Sequence, residues 1–223
     1  MATLAEPLRD GSSRATLDEL LLAYATGALP EAPALLVATH ATLNPAVRAR
    51  LRAFEAVGGE LLEQQDPVAM SGGAKAALLA RLDEPPAPAP SATAGRDPQL
   101  PAPLAALLPD RLERLAWRRR LPGLKDWDLP ALTGGKARLM WVAGKTAIPR
   151  HTHRGLELTL VLEGAFRDGA PRFGAGDLQI ADEGIDHRPP VTDAAACLCL
   201  VVTDAPVRLT GRVGRLFNRL VRY

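Results

Sequence analysis

Cysteine is nearly absent from this 223-residue chain: there are two, Cys197 and Cys199, one residue apart in "CLCL". Side chains at that spacing share one face of a strand, yet such close neighbours rarely close an unstrained bridge. A disulfide framework is excluded, and a reducing compartment is implied. Charge of one sign is also lacking. Lys and Arg total 27 against 25 acids, for a net charge of +2, without the basic excess that marks a nucleic-acid binder. No apolar run is long enough to cross a bilayer. The opening "MATLAEPLRDGSS" carries two acids and no apolar signal core. These absences together describe a soluble, cytoplasmic protein with no direct nucleic-acid contact and no membrane association. Aromatics make up only 4% of the chain, and Ala, Leu, Pro and Arg fill their place, as in the products of a GC-rich genome.

What is present falls into three regimes. The first, residues 1–83, is helical. In "TLDELLLAYATG", Thr16 followed by Glu19 forms a capping box. Leu17, Leu20, Leu21 and Tyr24 fall on one side, and Gly27 is a natural stop. Pro30 begins a second helix, "PEAPALLVATHATL". In "NPAVRARLRAFEAVGGELLE", Asn44 caps and Pro45 takes the first helical position. Val47, Leu51, Phe54 and Val57 recur every three or four residues. Gly58 and Gly59 are expected to end this helix or kink it before "ELLE". A fourth helix is expected over 74–82. Short connections join these helices into a small bundle.

The second regime, 84–103, reads "EPPAPAPSATAGRDPQLPAP". Seven of its twenty positions are proline, which rules out helix and central strand and predicts a semi-extended linker. The third, 104–223, is a series of short β-rich runs punctuated by Gly, Asp and Pro about every ten residues, the pattern of a sandwich or barrel. Its basic tail, "TGRVGRLFNRLVRY", is read as a docking helix. The run Arg118, Arg119, Arg120 is read as a solvated face.

Histidine is sparser still than the aromatics, with four in all. Three of the four lie in one segment of the third regime. "HTHRGLE" places His151, His153 and Glu157 at odd positions, so a continuous strand would project all three from one face. His187 follows thirty residues later, a distance that suits two further strands and their turns. Three imidazoles and one carboxylate suit a divalent transition metal such as zinc, iron, manganese or nickel. A polar strand surface is the simpler explanation for any one of these residues, but it does not account for their clustering. Glu183 and Asp186, beside His187, read as ordinary turn acids.

The stretch "GKTAIPRHTHRGLELTLVLEGAF" resembles the first cupin motif, with His151, His153, Glu157 and Gly164 at its key positions. "GAGDLQIADEGIDH" resembles the second, with Gly176 and Asp177 at its start and His187 as the last ligand. Its proline-x-glycine turn is replaced by Asp182 to Gly184. The resemblance implies a double-stranded β-helix barrel holding one metal.

A helical domain, a Pro-rich linker and a cupin in that order resemble the ChrR-type anti-sigma factors, from about Leu17 to Arg208. The resemblance implies an α+β, multidomain chain. Its helical domain would hold an extracytoplasmic-function sigma factor, and its cupin, with zinc the first choice of metal, would release that factor on oxidative stress from singlet oxygen or organic peroxide. The family's helical domain carries a His-x-x-x-Cys-x-x-Cys zinc motif. Here His40 remains, while Asn44 and Val47 occupy the cysteine positions and no histidine precedes His40. No zinc is therefore expected in the helical domain, and His40 is expected to be a partly buried helix residue, with the Asn44–Pro45 cap holding the junction. Cys197 and Cys199 are expected to be small core side chains. Cupins commonly pair, so a homodimer is compatible with the sequence. The competing reading is a metal-dependent cupin enzyme, a dioxygenase or isomerase, but it leaves the helical half unexplained and no acid–base pair accompanies the motif.

Overall fold

The computed structural model describes residues 16–85, 97–152, 155–182, 184–206 and 208–210. Helices come first: α1 (Leu17–Ala25), α2 (Glu31–Leu43), α3 (Pro45–Glu63), α4 (Ala74–Leu82) and the short α5 (Ala102–Ala105). The strands follow: β1 (Arg118–Leu121), β2 (Leu124–Asp128), β3 (Lys136–Val142), β4 (His151–Thr152), β5 (Glu157–Glu163), β6 (Ala165–Arg167), β7 (Arg172–Gly174), β8 (Leu178–Ala181), β9 (Asp186–His187), β10 (Cys197–Thr203) and β11 (Arg208–Leu209). The expected tail helix lies outside the described residues.

Local sequence accounts for the helix ends. Thr16 and Glu19 form the reciprocal capping box at α1. The Asn44 side-chain oxygen accepts from the amides of Ala46 and Val47 at α3, with Pro45 at the first helical position. Gly58 and Gly59 do not end α3, which runs through both to Glu63. A glycine costs a helix interior only about 1 kcal/mol relative to alanine, and good helix formers follow at once in "ELLE".

The strands pair as a six-stranded sheet in the order β1-β2-β3-β10-β5-β8, a three-stranded sheet β11-β4-β9, and the hairpin β6-β7. Among the described residues these sheets do not join into one closed hydrogen-bonded ring, although the cupin layout is kept. Period-two alternation gives the large sheet two apolar faces. Leu139, Leu158, Leu160, Leu198, Leu200 and Val202 join one cluster with Leu21, Leu36 and Val37 of the helices. Val142, Val161, Cys197, Cys199 and Val201 face the other way, with Phe166 and Val191. The helices are therefore not a free-standing bundle, because they complete the outer core of the sheet. Fully buried leucines such as Leu36, Leu160 and Leu200 each contribute about 1.5–3 kcal/mol.

Helix α2 is the piece between the two halves, and its buried residues surround much of its circumference. A helix that is apolar on most sides belongs between layers. Pro30 offers no side-chain cap, so the β half supplies one. The Glu31 amide donates to Thr133 Oγ1 at 3.2 Å, the Ala32 amide donates to the Thr133 carbonyl at 3.0 Å, and the Thr133 amide donates to Glu31 Oε2 at 2.9 Å. Gly134 makes this approach possible, since a Cβ there would lie 2.2 Å from Pro30 Cβ.

Part of the span read as linker is packed. Asp97 is buried and accepts from the amides of Gln99 and Leu112, Leu100 enters the helical side of the core, and the span runs into α5, whose Leu104 and Ala105 enter it too. Proline abundance hid this: apolar residues spaced among prolines can still fill a core, and the exclusion of helix fails at 102–103, because Pro101 and Pro103 stand at the cap and first turn of α5, where a missing amide costs little. Residues 86–96 lie outside the described set.

At the other end of α2, His40 is only 3% exposed. Burial lowers its pKa from 6.5 to about 4, against a hydrogen bond with the Gly176 backbone and the charge of Asp177. The fold therefore holds the imidazole neutral. Between pH 6.5 and about 4 the unfolded chain takes up a proton that the folded chain refuses. Stability is expected to fall as pH drops through that window, by at most about 1.4 kcal/mol per pH unit from this group. Above it the contribution is constant. Urea unfolding of the wild type and of His40→Gln at several pH values checks this: the variant should show the shallower acid slope, and equal slopes would contradict it.

Candidate metal centre

Strands β4 and β9 pair antiparallel with His151 directly opposite His187. Glu157 opens β5 in the large sheet. The ligand atoms of these three residues lie within 4.8 Å of one another, and all three residues are buried. His153 and Glu183 fall outside the described residues.

His151 and Glu157 do not share one continuous strand. His151 belongs to the small sheet and Glu157 to the large one, so the two approach from different sheets. Asp204 fixes the crossing. Its carboxylate accepts from the Leu156 amide at 2.8 Å, and a Cβ on Gly155 would sit 2.1 Å from its Oδ1. Three short strands, rather than two, intervene before His187 returns.

The hydrogen bonds set the chemistry. His151 Nδ1 is 2.7 Å from the Pro149 carbonyl oxygen, which can only accept. His187 Nδ1 is 2.9 Å from Asp168 Oδ2. Each Nδ1 therefore carries the proton, and each Nε2 presents a lone pair. Those two Nε2 atoms face each other at 3.1 Å. Two lone pairs at that distance repel unless a cation or a shared proton lies between them. Burial lowers the His151 pKa to about 4, so a proton is poorly held there. Burial raises the Glu157 carboxyl to about 6, against the charges of His187 and Arg138. Two imidazoles that turn their Nε2 atoms toward each other beside a buried carboxylate fit a divalent cation, which would reverse the cost of ionising Glu157.

Asp168 was not singled out in the sequence. It sits in "FRDG", which reads as a turn, and no local pattern shows that it reaches a histidine nineteen residues on. Its carboxylate also accepts from Gln179 Nε2 at 2.5 Å. Carboxylate–histidine pairs of this kind orient a metal ligand and raise its basicity. Asp168→Asn is expected to weaken metal binding about 10–100-fold; competition against a chromophoric chelator measures it, and unchanged affinity would dismiss the orienting role.

The other polar residues are accounted for locally. Asp186 turns away from the cluster to Arg150 Nε at 3.1 Å and the Thr210 hydroxyl at 2.7 Å. Arg118 and Arg120 pair with Asp126, so part of the expected solvated run is tied down. Cys197 and Cys199 are free and buried on the inner face of the large sheet, their sulfurs 3.6 Å apart.

Facing sheets with imidazoles and a carboxylate converging between them define a cupin, here with helices completing its outer core. The family model described as the ChrR cupin-like domain matches residues 111–206. The anti-sigma-E factor ChrR of Cereibacter sphaeroides is 49% identical over 210 residues, covering 92% of this chain and 96% of that protein. The structure of Rhodobacter sphaeroides SigE in complex with the anti-sigma ChrR contains a chain 48% identical to this one. The match covers 84% of this chain and 96% of that chain, with a TM-score of 0.74. The chain belongs to the ChrR family of anti-sigma factors. It is a regulator and not an enzyme.

Proposed function

We propose that the helical half captures an extracytoplasmic-function sigma factor in the cytoplasm, and that the cupin controls its release. The observation that carries this reading is a set of exposed apolar side chains on two successive helices. Val57, Leu61 and Leu62 on the far end of α3 and Leu78, Leu79 and Leu82 on α4 are all more than half exposed, Leu62 at 72% and Leu82 at 74%. No residue of α4 is buried. Exposed patches of this kind mark protein-binding surfaces, and the similar ChrR chain was solved bound to SigE. No helix of the described residues is long and apolar enough to cross a membrane.

The cupin is proposed to hold one divalent ion, most simply zinc, through His151, His153, Glu157 and His187. Singlet oxygen or an organic peroxide acting at this centre would shift the chain between a sigma-holding and a sigma-releasing state, which requires that the stimulus act differently on the two. Coexpression of the full chain with an extracytoplasmic-function sigma factor of the same organism is expected to give a 1:1 complex on gel filtration. Separate elution of the two proteins would refute the capture reading.

The working division is 1–83, a connecting stretch within 84–103, and 104–223, with the connection narrowed at its C-terminal side by the packing of Asp97 and Leu100. Limited proteolysis is expected to cut first between Glu84 and the packed Asp97. First cleavage inside the β half would contradict that division.

A further inference from the structure

We infer that the C-terminal end of α2 is a latch whose closure is linked to metal binding in the cupin. The inference rests on the proposed metal centre and names how that centre reaches the helices.

Asn44 has two jobs. Its Oδ1 caps α3, accepting from the amides of Ala46 and Val47 at 3.1 and 3.3 Å. Its Nδ2 donates at 3.3 Å to the carbonyl oxygen of Gly176, on the turn that leads into β8. His40, one helical turn earlier, is buried beside the same Gly176 backbone, which acts against the lowering of its pKa. Both polar side chains at this end of α2 thus meet the Gly176 turn. The contact is incompletely satisfied: among the described residues, the buried His40 Nδ1 has no hydrogen-bond partner. A junction with an unmet polar atom is easier to open than one fully paired.

The Gly176 turn is itself tied to the sheet. The Gly176 amide donates to the Val161 carbonyl at 2.9 Å, and the Val161 amide donates to the Asp177 carbonyl at 3.0 Å. Two residues further along, Gln179 of β8 points to the inner side and donates to Asp168, whose carboxylate holds His187. Strand β8 therefore carries the latch at its start and the support of a metal ligand near its middle. A cation that fixes the His187 ring fixes Asp168 and Gln179, and with them the register that presents the Gly176 carbonyl to α2. Losing the cation leaves facing lone pairs that must move apart, and β8 is the element that moves with them.

Linkage makes this testable without a sigma factor. If the metal favours the closed latch, opening the latch must weaken metal binding by the same factor. Asn44→Asp and Asn44→Ser both keep an N-cap oxygen for α3. The first has no donor for Gly176, and the second is too short to reach it. The full chain and both variants would be titrated with Zn2+ against a chromophoric chelator, with His151→Ala as the reference for a broken centre. Amide hydrogen exchange at 40–44 in the wild type, with and without Zn2+, supplies a readout that needs no variant.

Both Asn44 variants are expected to bind Zn2+ roughly fivefold or more weakly than wild type, and Zn2+ is expected to slow exchange at 40–44. Equal Zn2+ affinity in wild type and both variants, with exchange at 40–44 indifferent to Zn2+, overturns the latch and leaves the metal centre standing. Wild type binding Zn2+ no better than His151→Ala overturns the metal centre and the latch with it.

Discussion

Replacing Leu61, Leu62 and Leu79 together by glutamine is expected to abolish capture of the sigma factor while leaving the fold intact. Glutamine keeps nearly the helix propensity of leucine, so α3 and α4 should persist. All three leucines are more than half exposed, and surface changes of this kind usually move stability by less than about 0.5 kcal/mol each. In a complex the same side chains would be buried. If each contributes even ~1 kcal/mol, a fraction of the value for full burial, the triple variant loses roughly a hundredfold in affinity. Surface plasmon resonance against the immobilised sigma factor reads that loss, and urea unfolding supplies the control. Wild-type affinity in the triple variant would move the capture surface elsewhere, to the basic first half of α3 or to the β half.

The second large effect is expected at the cupin. Wild-type protein should carry about one divalent ion per chain, and His151→Ala or His187→Ala should each lower its affinity by more than ~100-fold. Loss of an outer-shell partner alone typically costs 10–100-fold, and loss of a ligand removes more. The double variant should be little worse than either single one, because the two imidazoles act on one ion and their effects do not add. Metal analysis after dialysis gives occupancy, and chelator competition gives affinity. Unchanged occupancy in both single variants would reduce the facing nitrogens to a shared-proton pair with no metal role.

Local signals were legible where one short stretch holds both partners. The Thr16–Glu19 box, the Asn44–Pro45 cap and the bounds of α4 follow from neighbours within four residues. The convergence of His151, Glu157 and His187 was also anticipated, though through a geometry the chain does not use. Parity along a strand has meaning only while the strand continues, and Asp204, about fifty residues away, ends it by pinning the crossing at Leu156. Asp168, Gln179 and Thr133 were invisible for the same reason. Their partners lie 11 to 102 residues away, and nothing nearby in sequence distinguishes them from turn and surface residues. The pattern of α2 showed that it is apolar, but a pattern cannot say which layer its second side will cover.

Thr133 has a consequence for how the protein is born. Helix α2 leaves the ribosome long before the residue that finishes its amino end, and longer still before β10 arrives to cover its flank. At ordinary elongation rates this interval is on the order of ten seconds. In that time the nascent chain displays the exposed leucines of α3 and α4 with nothing yet made that could restrain them. A sigma factor met during translation would therefore be seized before the sensor half exists to let it go.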